Sequence, residues 1–236
     1  MYLFCNLKNK LNKDEMIRYK NAYEDLTRRG IKLVLFPANP FLCLFDSKKV
    51  CLGSQDITSF KDKTITGEIT GEQLSSVGCN YVLVGHSERR VLKNEINIDF
   101  INKVDNAQEN GLKVIYCVGE SRSDRDNSNT YAVLDKQISE VLNNVKVKNI
   151  IIAYEPVWCV DTGVFIDKAS LEEAVKYIKD IIFKKYEVKV QVVYGGSVNS
   201  NNVGSLKETD GLDGFLIYKS ALDIEELQKI LDILAR

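Results

Sequence analysis

Eight short apolar runs, each followed by a longer charged stretch of amphipathic pattern, limit what this chain can fold into. The runs cover residues 2–7, 32–36, 50–55, 81–84, 112–118, 149–154, 189–194 and 214–217. They are short and rich in β-branched and aromatic side chains, the pattern of strands covered on both faces. The stretches between them carry helical signals. Residues 12–29 open on Asn12 with an acidic first turn, and Gly30 stands where a helix C-cap belongs. Residues 168–185 bring Leu171, Ala174, Val175, Ile178, Ile181 and Ile182 onto one face. Residues 223–234 do the same with Ile224, Leu227, Ile230, Leu231 and Leu234. Strands and helices alternating in this way pair in parallel through right-handed crossovers. Two α/β architectures satisfy that rule, a closed (β/α)8 barrel and an open doubly wound sheet, and alternation alone does not separate them.

Only three prolines occur and no proline- or serine-rich linker interrupts the pattern, so residues 1–236 read as a single domain. The most polar stretch, residues 121–130, reads as a surface loop. Lys and Arg number 32 against 33 Asp and Glu, a net charge of −1. That balance argues against nucleic acid or a membrane surface as partner, while leaving room for a local basic site that takes a phosphorylated ligand. The six cysteines, at 5, 43, 51, 79, 117 and 159, form no CxxC pair and no cluster, so no metal site is expected. Cys43, inside Phe41-Leu42-Cys43-Leu44-Phe45, reads as a small buried hydrophobe. The first residues lack a basic and apolar leader, and no apolar run approaches the roughly 18 residues of a membrane span. A cytoplasmic protein is the expectation.

In a barrel of this kind active sites form where the strands end at their C-termini. Reactive residues collect there. The first run ends in Asn6, Leu7 and Lys8, and the fourth enters Gly85-His86-Ser87-Glu88. The sixth ends in Glu155-Pro156-Val157-Trp158, and the seventh in Tyr194-Gly195-Gly196-Ser197. A lone histidine at a strand end is usually structural, and a lone lysine usually lies on the surface. The segments around them change that reading. VGHSERR (84–90), AYEPVW (153–158) and YGGSV (194–198), in this order and spacing, resemble the triosephosphate isomerase family. GSQDIT (53–58), TGEIT (66–70), CVGE (117–120) and DGFLI (213–217) extend the resemblance over almost the whole chain.

The resemblance implies a TIM barrel and a cofactor-free aldose–ketose isomerisation of a three-carbon phosphosugar in glycolysis and gluconeogenesis. It also implies roles. Glu155 matches the base that moves a proton between adjacent carbons. His86 matches the neutral electrophile at the carbonyl, and Lys8 the cation that stabilises the enediolate and the phosphate. Asn6 matches a substrate-positioning residue and Glu88 a carboxylate beside the site. Phosphate binding is implied for Gly195, Gly196 and Ser197 after the seventh strand, for Tyr218 and Lys219 after the eighth, and for Asp161 in the lid. A homodimer is implied as well, in which the segment 6–10 meets the partner's loop near Thr66, Gly67 and Glu68.

Several positions depart from the family pattern. Tyr218 and Lys219 stand where the family has a glycine pair, and Asp161 replaces a lid glycine that offers its N–H to phosphate. Val164, Phe165 and Ile166 differ at the far hinge of the lid, and Leu7, Asn9 and Lys10 differ after the first strand. The expectation is intact proton-transfer machinery with a modified grip on phosphate, seen as a raised KM or a shifted substrate preference. Two other readings follow from the same residues: an isomerase of another small ketose phosphate, such as a four-carbon erythrulose phosphate, and a barrel that binds without catalysis.

Overall fold

The computed structural model describes residues 1–26, 30–160 and 162–236. Its strands are β1 (Tyr2–Asn6), β2 (Lys32–Phe36), β3 (Leu52–Ser54), β4 (Cys79–Val84), β5 (Lys113–Val118), β6 (Ile150–Tyr154), β7 (Gln191–Tyr194) and β8 (Gly214–Ile217). All neighbours are parallel, and the order around the ring is the order in the sequence. β1 pairs Phe4 with Val34 of β2 on one side and Cys5 with Ile217 of β8 on the other, which closes the sheet. The architecture is the (β/α)8 barrel, and the doubly wound alternative falls. The strands lie where the apolar runs predicted them, with β3 and β7 starting two residues later and β4 two residues earlier than expected.

The helices are α1 (Lys13–Tyr23), α2 (Gly71–Ser76), α3 (Ser87–Leu92), α4 (Asn97–Glu109), α5 (Arg122–Asp126), α6 (Thr130–Leu142), α7 (Lys168–Tyr186), α8 (Val203–Leu206), α9 (Lys219–Leu222) and α10 (Ile224–Leu234). A 3₁₀ turn, Asn39–Leu44, takes the place of a helix between β2 and β3. Their ends follow local chemistry. Asn12 caps α1 by a reciprocal box, its Oδ1 accepting from the Glu15 N–H while the Glu15 carboxylate accepts from the Asn12 N–H. Asp167 and Asp223 cap α7 and α10 by accepting alone, from the Ser170 N–H and from the Glu225 and Glu226 N–H groups.

Two clusters of buried side chains divide the core. Phe4, Phe36, Tyr81, Ile115, Ile151 and Leu216 pack together without any helix residue and fill the barrel interior. Their strand neighbours, among them Leu3, Cys5, Leu35 and Val114, join Met16, Phe100, Ile138 and Ile178 in the layer between strands and helices. This two-sided burial explains why the strands read as continuous apolar runs. Each buried Leu, Ile or Phe contributes about 1.5–3 kcal/mol relative to exposure. A charged side chain is buried in the outer layer as well. Lys103 of α4, 3 % exposed, holds Asp56 and Glu95 at 2.6 Å each, and Arg89 also pairs with both carboxylates.

Three sequence expectations need correction. α1 ends at Tyr23 rather than near residue 29, and Gly30 does not cap it; the C-cap is Glu24, after which the chain turns so that Leu26 is buried. Residues 27–29 lie outside the described residues. The stretch 121–130 is not all loop: Ser121 and Asp124 form a capping box that starts α5, a pattern visible in Ser121-x-x-Asp124. Cys43 is exposed. The threefold period of the 3₁₀ turn directs Leu42 and Phe45 inward and leaves Cys43 outside.

Candidate active site

The side chains that end β1, β4, β6, β7 and β8 converge at one mouth of the barrel. A cavity of about 140 Å³ there is lined by Asn6, Lys8, His86, Glu155, Gly163, Gly195, Ser197, Tyr218 and Lys219, among others. An adjoining hollow of about 500 Å³ shares Asn6, Lys8 and His86 and extends to Gln55, Gly67, Glu68 and Glu88. Gly196 and Glu88 therefore do not line the smaller cavity. Gly196 packs on the Tyr194 phenol, and Glu88 stands at the wider opening. Asp161 lies outside the described residues.

Glu155 follows β6 and is 4 % exposed. Its N–H donates to the Val118 carbonyl at 2.8 Å, continuing the β5–β6 ladder one step past the strand. Two glycines make room for it. A Cβ on Gly119 would stand 2.0 Å from the Glu155 carbonyl oxygen, and one on Gly195 would stand 2.8 Å from its Cγ. Oε2 is buried and meets no hydrogen-bond partner among the described residues, an unfavourable state for a carboxylate oxygen.

His86 is the N-cap of α3 and is 6 % exposed. The Glu88 N–H donates to its Nδ1 at 3.4 Å, and its Nε2 faces Glu155 Oε1 at 3.4 Å. A ring nitrogen that accepts carries no proton, so in the neutral ring this bond places the hydrogen on Nε2. Burial pulls the imidazole below its ordinary value; the charge and hydrogen bond of Glu155, with Glu88 behind it, outweigh that pull and raise it, and Lys8 opposes them.

Lys8 follows β1 in a left-handed backbone conformation, φ 49°. The Lys8 N–H donates to Asn6 Oδ1 at 3.1 Å, and Gln55 Nε2 donates to the Lys8 carbonyl at 2.8 Å and the Phe36 carbonyl at 3.0 Å. Its Nζ contacts Glu88 Oε1 at 2.7 Å and lies 4.1 Å from the centroid of the Tyr218 ring. Gln55 stands in the GSQDIT segment, yet its service to Lys8 is not legible there, because the bond links β3 to the turn after β1.

The segment after β6 bends over the site. Val157–Cys159 forms a 3₁₀ turn, and Trp158 Nε1 donates to Glu120 Oε1 at 3.1 Å. Glu120 is fully buried and also accepts from the Tyr154 hydroxyl, at 3.1 Å to Oε2. Arg125 stands 3.5 Å from Glu120 and stacks over Trp158 at 5.0 Å. The far end is tied to the β7 turn: the Gly163 N–H donates to Ser197 Oγ at 3.1 Å and the Ile166 N–H to the Tyr194 hydroxyl at 3.2 Å. Ser197 Oγ in turn donates to the Cys159 carbonyl at 2.7 Å. Below Glu155, burial and then the Glu155 charge push the Cys117 thiol well above its ordinary value, so it stays protonated and does not act as a nucleophile. Among the described residues no group of three His, Cys, Asp or Glu could hold a metal ion, and no helix is long and apolar enough to cross a membrane.

The family model described as triosephosphate isomerase matches residues 1–234. The chain belongs to the triosephosphate isomerase family. Relatives named triosephosphate isomerase include one from Francisella tularensis subsp. mediasiatica, 33 % identical over 211 residues, which cover 86 % of this chain and 83 % of the relative. One from Francisella philomiragia subsp. philomiragia is 35 % identical over 191 residues, 78 % of this chain and 76 % of the relative. One from Mesomycoplasma hyopneumoniae is 37 % identical over 185 residues, 78 % and 75 % respectively. The protein is accordingly an isomerase, and a triosephosphate isomerase barrel carries the buried Glu155–His86 pair at its C-terminal mouth.

Proposed function

We propose that this isomerase interconverts dihydroxyacetone phosphate and D-glyceraldehyde 3-phosphate by proton transfer through an enediolate, with residues 1–236 acting as one domain. Glu155 takes the proton from the carbon beside the carbonyl and returns it to the neighbouring carbon. The Nε2–H of His86 donates to the carbonyl oxygen as negative charge develops there, and the imidazole carries protons between the two oxygens. Lys8 stabilises the same charge and meets the phosphate, and Asn6 orients the substrate. The roles of carboxylate base and neutral imidazole electrophile are those known for triosephosphate isomerase.

The single observation that supports it most is the Glu155 Oε1 to His86 Nε2 approach of 3.4 Å inside a buried pocket. There a fixed donor and a fixed cation act in a water-poor medium, where each is worth far more than in water. Once Glu155 has accepted the substrate proton its charge no longer raises His86, and burial again favours the neutral ring. That ring also keeps the Glu88 N–H bond, which an imidazolium would lose.

At the phosphate end, the Gly195 and Ser197 turn and the segment of Tyr218 and Lys219 face the cavity, and Asp161 is assigned to the lid. Side chains at 218 and 219 make this end narrower than a glycine pair would, and KM is expected to exceed that of relatives with the glycines.

Glu88 steadies His86 and Lys8 from the wider hollow. The segments around that hollow expose Phe60, Ile65, Val91, Leu92 and Ile96, an apolar surface that supports a homodimer. Light scattering at twice the mass of the chain tests the dimer. A coupled assay of glyceraldehyde 3-phosphate isomerisation, with Glu155→Gln as control, tests the reaction. Turnover that disappears in the variant is expected; no turnover in the intact protein, or unchanged turnover in the variant, overturns it.

A further inference from the structure

The Tyr218 ring lies against Lys8, and the fold explains how it gets there. The β1–β8 register sets Cys5 opposite Ile217, so the next residue of each strand, Asn6 and Tyr218, leave the barrel side by side. Lys8 follows two positions later in its left-handed turn, and the Ala221 N–H donates to the Tyr218 carbonyl at 2.9 Å to hold the start of α9. The ring then meets Lys8 Nζ face on, 4.1 Å from its centroid. The Lys8 side chain is 14 % exposed, whereas Glu88, its carboxylate partner, is 45 % exposed.

We propose that Tyr218 is a positioning residue for Lys8, a cation–π rest that fixes the ammonium at the substrate cavity while leaving its charge available to the substrate.

The inference rests on the proposed role of Lys8. A carboxylate holds an ammonium by compensating its charge, and a half-exposed carboxylate does so weakly because water screens it. An aromatic face attracts the cation through its fixed quadrupole and carries no net charge, so it does not compete with an anionic substrate for the lysine. A glycine at 218 would give the backbone more room and offer Lys8 nothing to rest on. The departure at this position thus exchanges space at the phosphate for a fixed cation.

The experiment measures kcat, KM and melting temperature for Tyr218→Phe, Tyr218→Leu, Tyr218→Met and Lys8→Ala on the full chain. Phe keeps the ring and loses only the hydroxyl; its kcat/KM is expected to stay severalfold above that of the Leu and Met variants. Leu and Met fill space without a quadrupole, and each is expected to lose on the order of tenfold in kcat/KM at an unchanged melting temperature. Met serves if the branched Leu disturbs the turn. A Leu or Met variant equal to the parent overturns the inference, and so does a Phe variant as impaired as they are. If those variants match the parent while Lys8→Ala is inactive, only the role of Tyr218 falls. If Lys8→Ala itself retains full activity, the reading of Lys8 falls and this inference with it.

Discussion

His86 Nε2 stands 3.4 Å from Glu155 Oε1, one group delivered by the end of β4 and the other by the end of β6, with the Cys117 strand between them in the barrel. His86 is also the only histidine in the chain, so its titration is visible as one signal. The midpoint should lie above the ordinary value of about 6.5. In Glu155→Gln the upward pull disappears, leaving burial and Lys8 against Glu88, and the midpoint should fall. NMR of the single imidazole in both proteins decides this, and an unchanged midpoint would refute the coupling. The raised folded value also has a definite sign in stability. Its contribution is fully present below about pH 6.5 and is lost as pH rises through the folded midpoint.

Gly195 is held small by Glu155. A Cβ there would approach the Glu155 carboxylate carbon to 3.2 Å and its Oε1 to 2.9 Å, so the side chain must move. Displacing a reacting group by about 1 Å costs about 10²-fold in rate. Gly195→Ala should lose kcat on that scale while remaining folded, since the clash is with a side chain. Steady-state kinetics beside a thermal melt measures both, and full activity in the variant would contradict the packing argument.

The lid is tied down through hydroxyl groups of the β7 turn. Removing the Ser197 hydroxyl takes away the acceptor of Gly163 and the donor to Cys159, and Tyr194→Phe removes the acceptor of Ile166. Each lost bond should cost about 1 kcal/mol of lid closure, or about fivefold in kcat/KM. The double variant should lose more than either single one. Solvent-viscosity dependence of turnover is the second readout, because a loosened lid changes the gating step rather than the proton transfer.

Lys103 is the buried centre of an ion network with Asp56 and Glu95. Replacing it by Met leaves the half-buried carboxylates of Asp56 and Glu95 with Arg89 as the cation that still pairs with both. Loss of one partner from such a cluster costs about 3–5 kcal/mol. Lys103→Met should therefore lower the denaturant midpoint strongly. A midpoint equal to that of the parent would show that the carboxylates find other partners.

The eight strands were legible because two-sided burial writes apolar runs directly into the sequence, and a strand needs only local information. The start of α1 was legible for the same reason, through Asn12 and the acidic turn after it, while its C-terminal end was not. The candidate site was legible as segments: His86, Glu155 and Lys8 stand at strand ends within motifs that resemble a known family. Closure was a tertiary matter. Whether the last strand returns to the first depends on register accumulated around the whole sheet, and no window of sequence holds that sum. The same holds for Gln55 reaching the Lys8 carbonyl and for the Tyr218 ring meeting Lys8 Nζ. Each contact joins residues brought together only when β1 lies between β2 and β8. The sequence by itself determined which elements form and which reactive groups end them; the closed barrel decided which of those groups touch.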